Sequence, residues 1–269
     1  MKTKLKRYAG MTAVLVILAG SLYGFWIEPY ALEVTHHRVN APIAGRLRIA
    51  HLTDLHTRGL GRLERKLLAA LEAEKPDVIV ITGDSISSGA MNYDKSAEVL
   101  RQLQAPLGVW VVRGNWEVWN PLRDERGYYQ SIGVKLLVDE TAIIRDDVRL
   151  VGLNDWSAGS RNPEAVFEKA PRGAFTIALF HSPILFDSVS GRCDLALAGH
   201  THGGQVRVPP IGALWTPRGC GSYLAGWYER GDSRVYVSRG IGTSVLGVRM
   251  FCRPELAMID VGGNSDGVE

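Results

Sequence analysis

The stretch "LRIAHLTDLHT", Leu47 to Thr57, is an apolar run that breaks into a polar cluster carrying Asp54 and His56. A run this short, bounded by polar residues and followed by a helical pattern, predicts a buried strand whose carboxyl end delivers those two side chains. The same arrangement recurs along the chain. "DVIVIT" (77–82) precedes Asp84, "GVWVV" (108–112) precedes Asn115, "FTIALF" (175–180) precedes His181, and "DLALA" (194–198) precedes His200 and His202. Two more runs, "VRLVGL" (148–153) and "RVYVS" (234–238), complete the set. Between the first two runs Leu63, Leu67, Ala70 and Leu71 fall at i, i+4, i+7 and i+8, which is one helix face. Further helices are expected at 94–103 and at 162–169, the latter begun by Asn162 and Pro163. Strands alternating with helices predict an α/β domain of two packed sheets with helices outside.

Carboxyl ends of strands in α/β sheets form one rim, so the seven polar residues should converge on a single site. Residues i and i+2 of an extended backbone point the same way, so Asp54 with His56 and His200 with His202 are expected to supply two ligands each. Carboxylate, imidazole and amide oxygen without thiolate suit Mn²⁺, Fe, Zn²⁺ or Mg²⁺. Four of the chain's seven histidines lie in this set, a concentration that background does not explain.

The amino end has a different composition. Lys2, Lys4, Lys6 and Arg7 precede twenty uncharged residues, Tyr8 to Ile27. At about 1.5 Å per residue these cross a bilayer core of roughly 30 Å. We read residues 1–27 as a cytoplasmic basic end and an uncleaved anchor rather than a signal peptide, for which "AGS" at 19–21 is a weak cleavage site. Only Arg38 and Arg46 follow within the next twenty residues, so the positive-inside rule leaves the amino terminus cytoplasmic and the main domain outside. An irregular linker at 28–46, holding solvated His36 and His37, a domain over 47–262 and a disordered tail at 263–269 complete the expected organisation. Net charge is +3, of which the first seven residues supply +4, so the remaining −1 makes no case for nucleic acid. Cys193, Cys220 and Cys252 are too few and too scattered for a disulfide framework or a zinc knuckle, although a Cys220–Cys252 bridge stays open.

Taken in order, "DLH", "GD", "GN", a lone "H" and "GHTH" between Leu47 and Val261 resemble the calcineurin-like binuclear metallophosphoesterases. The anchor, "IEPYALEV", "GHTHGGQ", "RGIGTS" and "RPEL" look most like the membrane-attached bacterial branch. The resemblance implies a four-layer α/β/β/α sandwich of two mixed sheets in a bacterial inner-membrane protein. It implies two divalent ions, manganese foremost, with Asp54, His56 and His202 on one, Asn115, His181 and His200 on the other, and Asp84 bridging. Asp84, Asn115 and His200 would then be catalytic. A hydroxide formed between ions about 3.5–4 Å apart would attack phosphorus in line, with no side-chain nucleophile.

The family pattern has a histidine after Asn115, and here Trp116 stands instead. An indole N–H cannot act as a general acid near neutral pH, so the chemistry favours a phosphate leaving group over an alkoxide. Superfamily members that cleave UDP-2,3-diacylglucosamine also depart from histidine there. A lipid or nucleotide-lipid substrate with a pyrophosphate bond is therefore expected, giving lipid X and UMP in lipid A biosynthesis. That substrate belongs to the cytoplasmic face, in tension with the charge rule, so either the amino-terminal segment is monotopic and lies in the membrane without crossing it or the substrate is another one. A broad periplasmic phosphodiesterase or phosphatase, or a catalytically silent tethered scaffold, are the alternatives, and no obligate protein partner is expected. Trp116, Arg58 and Arg113 are the substrate-facing candidates, with surface or packing roles equally open for the two arginines. His51 is expected to be structural, Glu117 stays outside the catalytic set, and Trp110, Trp119 and Trp156 are assigned to the core or to lipid. Insertions at 118–133 and 154–172 are the expected source of any acyl-chain pocket.

Overall fold

The computed structural model describes residues 2–87, 92–159, 162–168 and 173–263. The expected tail therefore lies outside the described residues except for Gly263. Helix α1 (Lys2–Leu22) continues as a wider π turn (Tyr23–Ile27) and a 3₁₀ turn (Glu28–Tyr30). Strands β1 (Glu33–Val39) and β2 (Arg46–Leu52) follow, then helix α2 (Arg62–Glu74), β3 (Val78–Thr82), α3 (Asn92–Leu100), β4 (Val109–Val112), α4 (Asn115–Trp119), α5 (Glu125–Ser131) and β5 (Val134–Leu136). The second half runs β6 (Glu140–Arg145), β7 (Val148–Gly152), α6 (Pro163–Glu168), β8 (Phe175–Leu179), α7 (Phe186–Val189), β9 (Leu195–Ala198), a short hairpin of β10 (Arg207–Val208) and β11 (Gly212–Ala213), then β12 (Gly226–Arg230), β13 (Ser233–Val237) and β14 (Glu255–Gly262).

Among the described residues these strands make two six-stranded mixed sheets, ordered β1-β14-β2-β3-β4-β5 and β12-β13-β9-β8-β7-β6. In the first, β2 to β5 run parallel, and in the second β7, β8, β9 and β13 do. Alternate strand residues divide between two apolar layers, as the period of two requires. Ile49, Val80 and Val112 meet Leu150, Ile177 and Leu197 between the sheets. Leu52, Ile79 and Val111 face Leu63, Leu67 and Leu71 of α2. Val151, Ala178 and Ala196 face Val166 and Phe186 of α6 and α7. The result is the expected four-layer sandwich.

Residues 28–46 are not the irregular linker expected. β1 pairs in parallel with β14, from Glu33↔Glu255 to Val39↔Val261. Its partner lies more than two hundred residues away, and its own sequence, "EVTHHRV", reads as polar because an edge strand keeps one side in water. His37 packs on Tyr236 with ring centroids 4.4 Å apart, while His36 lies 3.1 Å from Glu74. The cysteines are free and buried, so no Cys220–Cys252 bridge forms. Lys6–Tyr30 is long and apolar enough to cross a membrane and is hardly covered by the rest of the chain.

Candidate metal centre

The seven candidate ligands do meet, at the carboxyl ends of β2, β3, β4, β8 and β9, and all are buried. One ligand atom each from Asp54, His56 and His202 lies within 4.8 Å of the others, and the same holds for Asp84, His181 and His200. Asp84 stands between the two groups, its Oδ2 3.5 Å from His56 Nε2 and 3.2 Å from His181 Nε2. Asn115 Oδ1 is 3.2 Å from the same His181 nitrogen.

The backbone reaches this arrangement differently from the extended geometry expected. Asp54, His56, Asp84, His200 and His202 all have positive φ, between 40° and 71°. Within two to four residues of the ends of β2, β3 and β9 the chain enters a left-handed conformation, costly for residues with a Cβ and typical of functional sites. Paired ligands converge through these turns and not through strand alternation. Gly114 shows why the turns must be tight, because a Cβ there would collide with the Asp84 carboxylate.

Backbone carbonyls set the imidazoles. His56 Nδ1 donates to Ile86 O at 3.0 Å, His181 Nδ1 to Thr82 O at 2.7 Å and His200 Nε2 to Arg218 O at 2.6 Å. Each ring thus turns its other nitrogen inward, the orientation that metal-ligating histidines take. Two inward pairs nearly touch: His56 Nε2 to His202 Nε2 at 3.2 Å and His200 Nδ1 to His181 Nε2 at 3.1 Å. Asp54 Oδ1 is buried without a hydrogen-bond donor. Buried carboxylate oxygens and imidazole nitrogens converging at these distances are the environment a divalent cation satisfies, so the residues fit the group the family motifs imply.

The electrostatics agree. Burial pushes His56 down to about 3 and His200 down to about 4, so both imidazoles are neutral at physiological pH. Burial also raises Asp84 to about 7, only partly offset by His181. Burial would lower His181, but Asp84 outweighs it and holds the imidazole well above its ordinary value.

Other positions were not legible in the sequence. Glu117, set aside above, is buried and accepts from Asp84 N (2.9 Å), Ser85 N (2.8 Å), Ser85 Oγ (2.8 Å) and Gly114 N (2.9 Å). It binds the Asp84 turn to the start of α4, while Trp116 N donates to Asp84 Oδ1 at 2.9 Å. Asp155, wholly buried beside His181, accepts from Ser182 Oγ at 2.6 Å. Its one signal was a polar residue just past an apolar run. Trp116 lies edge-on to His56, with ring centroids 5.4 Å apart. Arg58 lines a cleft of about 770 Å³ with His56, Arg62 and Trp26. Arg113 is held by Glu125, its Nε donating at 2.6 Å. Trp110 is in the core, and Trp119 and Trp156 are exposed. His51 is structural, bonded to Thr82 Oγ1 at 2.8 Å.

Comparison with known proteins gives the same picture. Residues 47–204 match the family model described as calcineurin-like phosphoesterase. The chain is 28% identical to the uncharacterized metallophosphoesterase YkuE of Bacillus subtilis, covering 94% of each. It is 29% identical to phosphodiesterase YaeI of Escherichia coli, over 95% of this chain and 98% of that one. A zebrafish transmembrane protein with metallophosphoesterase domain is 31% identical over 79% of this chain and 52% of its own length.

Proposed function

The chain belongs to the calcineurin-like phosphoesterase family and is a hydrolase of phosphoester bonds, and from that premise we propose that it is a two-metal enzyme acting on a membrane-associated pyrophosphate or phosphodiester. The carrying observation is the position of Asp84 Oδ2 between the two ligand groups. Asp54, His56 and His202 would hold one divalent ion and Asn115, His181 and His200 the other, with Asp84 shared. Bound there, such ions supply an activated water and charge neutralisation at phosphorus.

The chain's own part is positioning. Ile86, Thr82 and Arg218 carbonyls fix three imidazoles, Trp116 N and Glu117 fix Asp84, and Arg58 in the open cleft is available to phosphate oxygens. Trp116 walls the site beside His56 and supplies no proton, which supports a leaving group that needs none. UDP-2,3-diacylglucosamine, releasing UMP, meets that requirement, and manganese is the ion to try first.

The test is release of UMP from that substrate, and of p-nitrophenol from bis-p-nitrophenyl phosphate, by detergent-solubilised protein with Mn²⁺. Asn115→Ala should lose at least the roughly 100-fold that even an outer partner of a metal ligand can cost. Turnover of the generic diester alone would keep the metal centre and discard the nucleotide-lipid. No turnover of either would remove the two-metal reading.

A further inference from the structure

The amino-terminal helix does not end in a free tether. Gly24 is buried, its carbonyl accepts from Arg249 N at 2.9 Å, and buried Glu28 accepts from the backbone N–H of Phe251 at 2.8 Å and from that of Cys252. A Cβ at 24 would stand 3.1 Å from Met250 Cε and 3.2 Å from Val248 Cγ2, so glycine lets the 243–252 loop close on the helix. That loop is held at the level where the apolar span ends.

The surface around the junction is apolar. Val245 is 83% exposed and Trp215 69%, and Ile211, Leu214, Leu246 and Phe251 are exposed as well. Val245 and Phe251 have φ of 59° and 52°, against the preference of such side chains, so their outward display is imposed by the backbone. The loop is bound to the β10–β11 hairpin: Arg207 N donates to Met250 O at 2.8 Å, Met250 N to Gln205 O at 3.0 Å, and the Gln205 amide joins Ser244 N and Leu246 O. Between loop and hairpin lies a groove of about 310 Å³, lined by Leu214, Trp215, Val245, Leu246 and Val248 and also by His202.

We infer that the hairpin and the loop form a bilayer-contacting face, and that the groove between them takes a hydrocarbon chain of a membrane lipid whose phosphoryl group lies at the metal centre. A lipid is the occupant because the patch is continuous with Lys6–Tyr30, the segment apolar enough to span a membrane, and carries exposed Trp26 and Trp215 where interfacial tryptophans belong. The groove also shares His202 with the candidate metal centre. This rests on the function proposed above, and it relocates the acyl-chain site from the 118–133 and 154–172 insertions, whose described residues do not line the groove.

The full chain, reconstituted in phosphatidylethanolamine–phosphatidylglycerol vesicles, would carry a nitroxide on Leu246→Cys, Leu214→Cys or Asp232→Cys. Asp232 sits in the turn before β13, at the opposite end of the strands, and the native cysteines are buried. Labels at 246 and 214 should lose collisions with an aqueous nickel chelate and gain them with oxygen, while the label at 232 shows the reverse. A phosphatidylglycerol with a photoreactive acyl tail should crosslink to peptides covering 214–215 and 245–248. Water-like collisions at 246, crosslinks confined to α1, or failure of the protein to sediment with vesicles would each overturn the inference. None of these readouts requires turnover, so they stand apart from failure of Mn²⁺-dependent hydrolysis.

Discussion

Trp116 occupies the position where a proton donor would serve an alkoxide leaving group, edge-on to His56. Trp116→His should raise turnover of alkyl phosphate monoesters and diesters by up to about 10²-fold, the lower end of general acid catalysis, and change pyrophosphate cleavage little. Parallel kcat measurements on the two substrate types decide it, and equal changes in both would show that the indole does not set the leaving-group preference. Glu117 presents the opposite case, a residue with no visible partner in the sequence that gathers five donors in the fold, Ile86 N being the fifth. Glu117→Ala leaves buried N–H groups unpaired, at about 1–3 kcal/mol for each donor left unsatisfied. It should also weaken Mn²⁺ binding by roughly 10–100-fold through the released Asp84 turn. Urea unfolding and metal titration read the two effects, and unchanged metal affinity would confine Glu117 to stability.

Elements were legible where local pattern and tertiary role agree. The seven apolar runs became β2, β3, β4, β7, β8, β9 and β13 because each is buried on both faces and needs no partner to be recognised. β1 escaped for the opposite reason: its evidence lies in Glu255–Val261. α4 escaped because "NWEVW" is one turn whose start is set by Glu117 accepting from Gly114 N. Site residues were legible as a set, whereas their left-handed turns were not, since positive φ at aspartate and histidine runs against local preference. A chain cut before Glu28 keeps β1 and should fold. A chain cut before Asn40 exposes the edge of β14 and should aggregate, since a bare edge strand templates pairing. Size-exclusion chromatography distinguishes them, and a monodisperse shorter form would make β1 dispensable.

For the whole molecule, stability should depend on pH through His51, which burial pushes down to about 4 from 6.5. Below 6.5 the unfolded chain takes up a proton that the native one refuses until about pH 4. His51's contribution is therefore complete above 6.5 and is lost as pH falls through that window, by about 3 kcal/mol at most. Urea midpoints at pH 7 and pH 5 should differ less in His51→Gln than in the parent, and equal slopes would count against it. The candidate ligands divide between the sheets, with Asp54, His56, Asp84 and Asn115 following strands of the first and His181, His200 and His202 following strands of the second. Metal ions held among them would be clasps across the sandwich, adding to the apolar packing between the layers and to the hydrogen bonds that already cross it, such as His181 Nδ1 to Thr82 O and Tyr236 Oη to the Glu255 carboxylate. Linkage is reciprocal, so whatever ions do to the alignment of the sheets, that alignment does to ion affinity. Trimming Ile177, deep between the layers at the foot of the His181 strand, therefore reaches the metal centre without touching it.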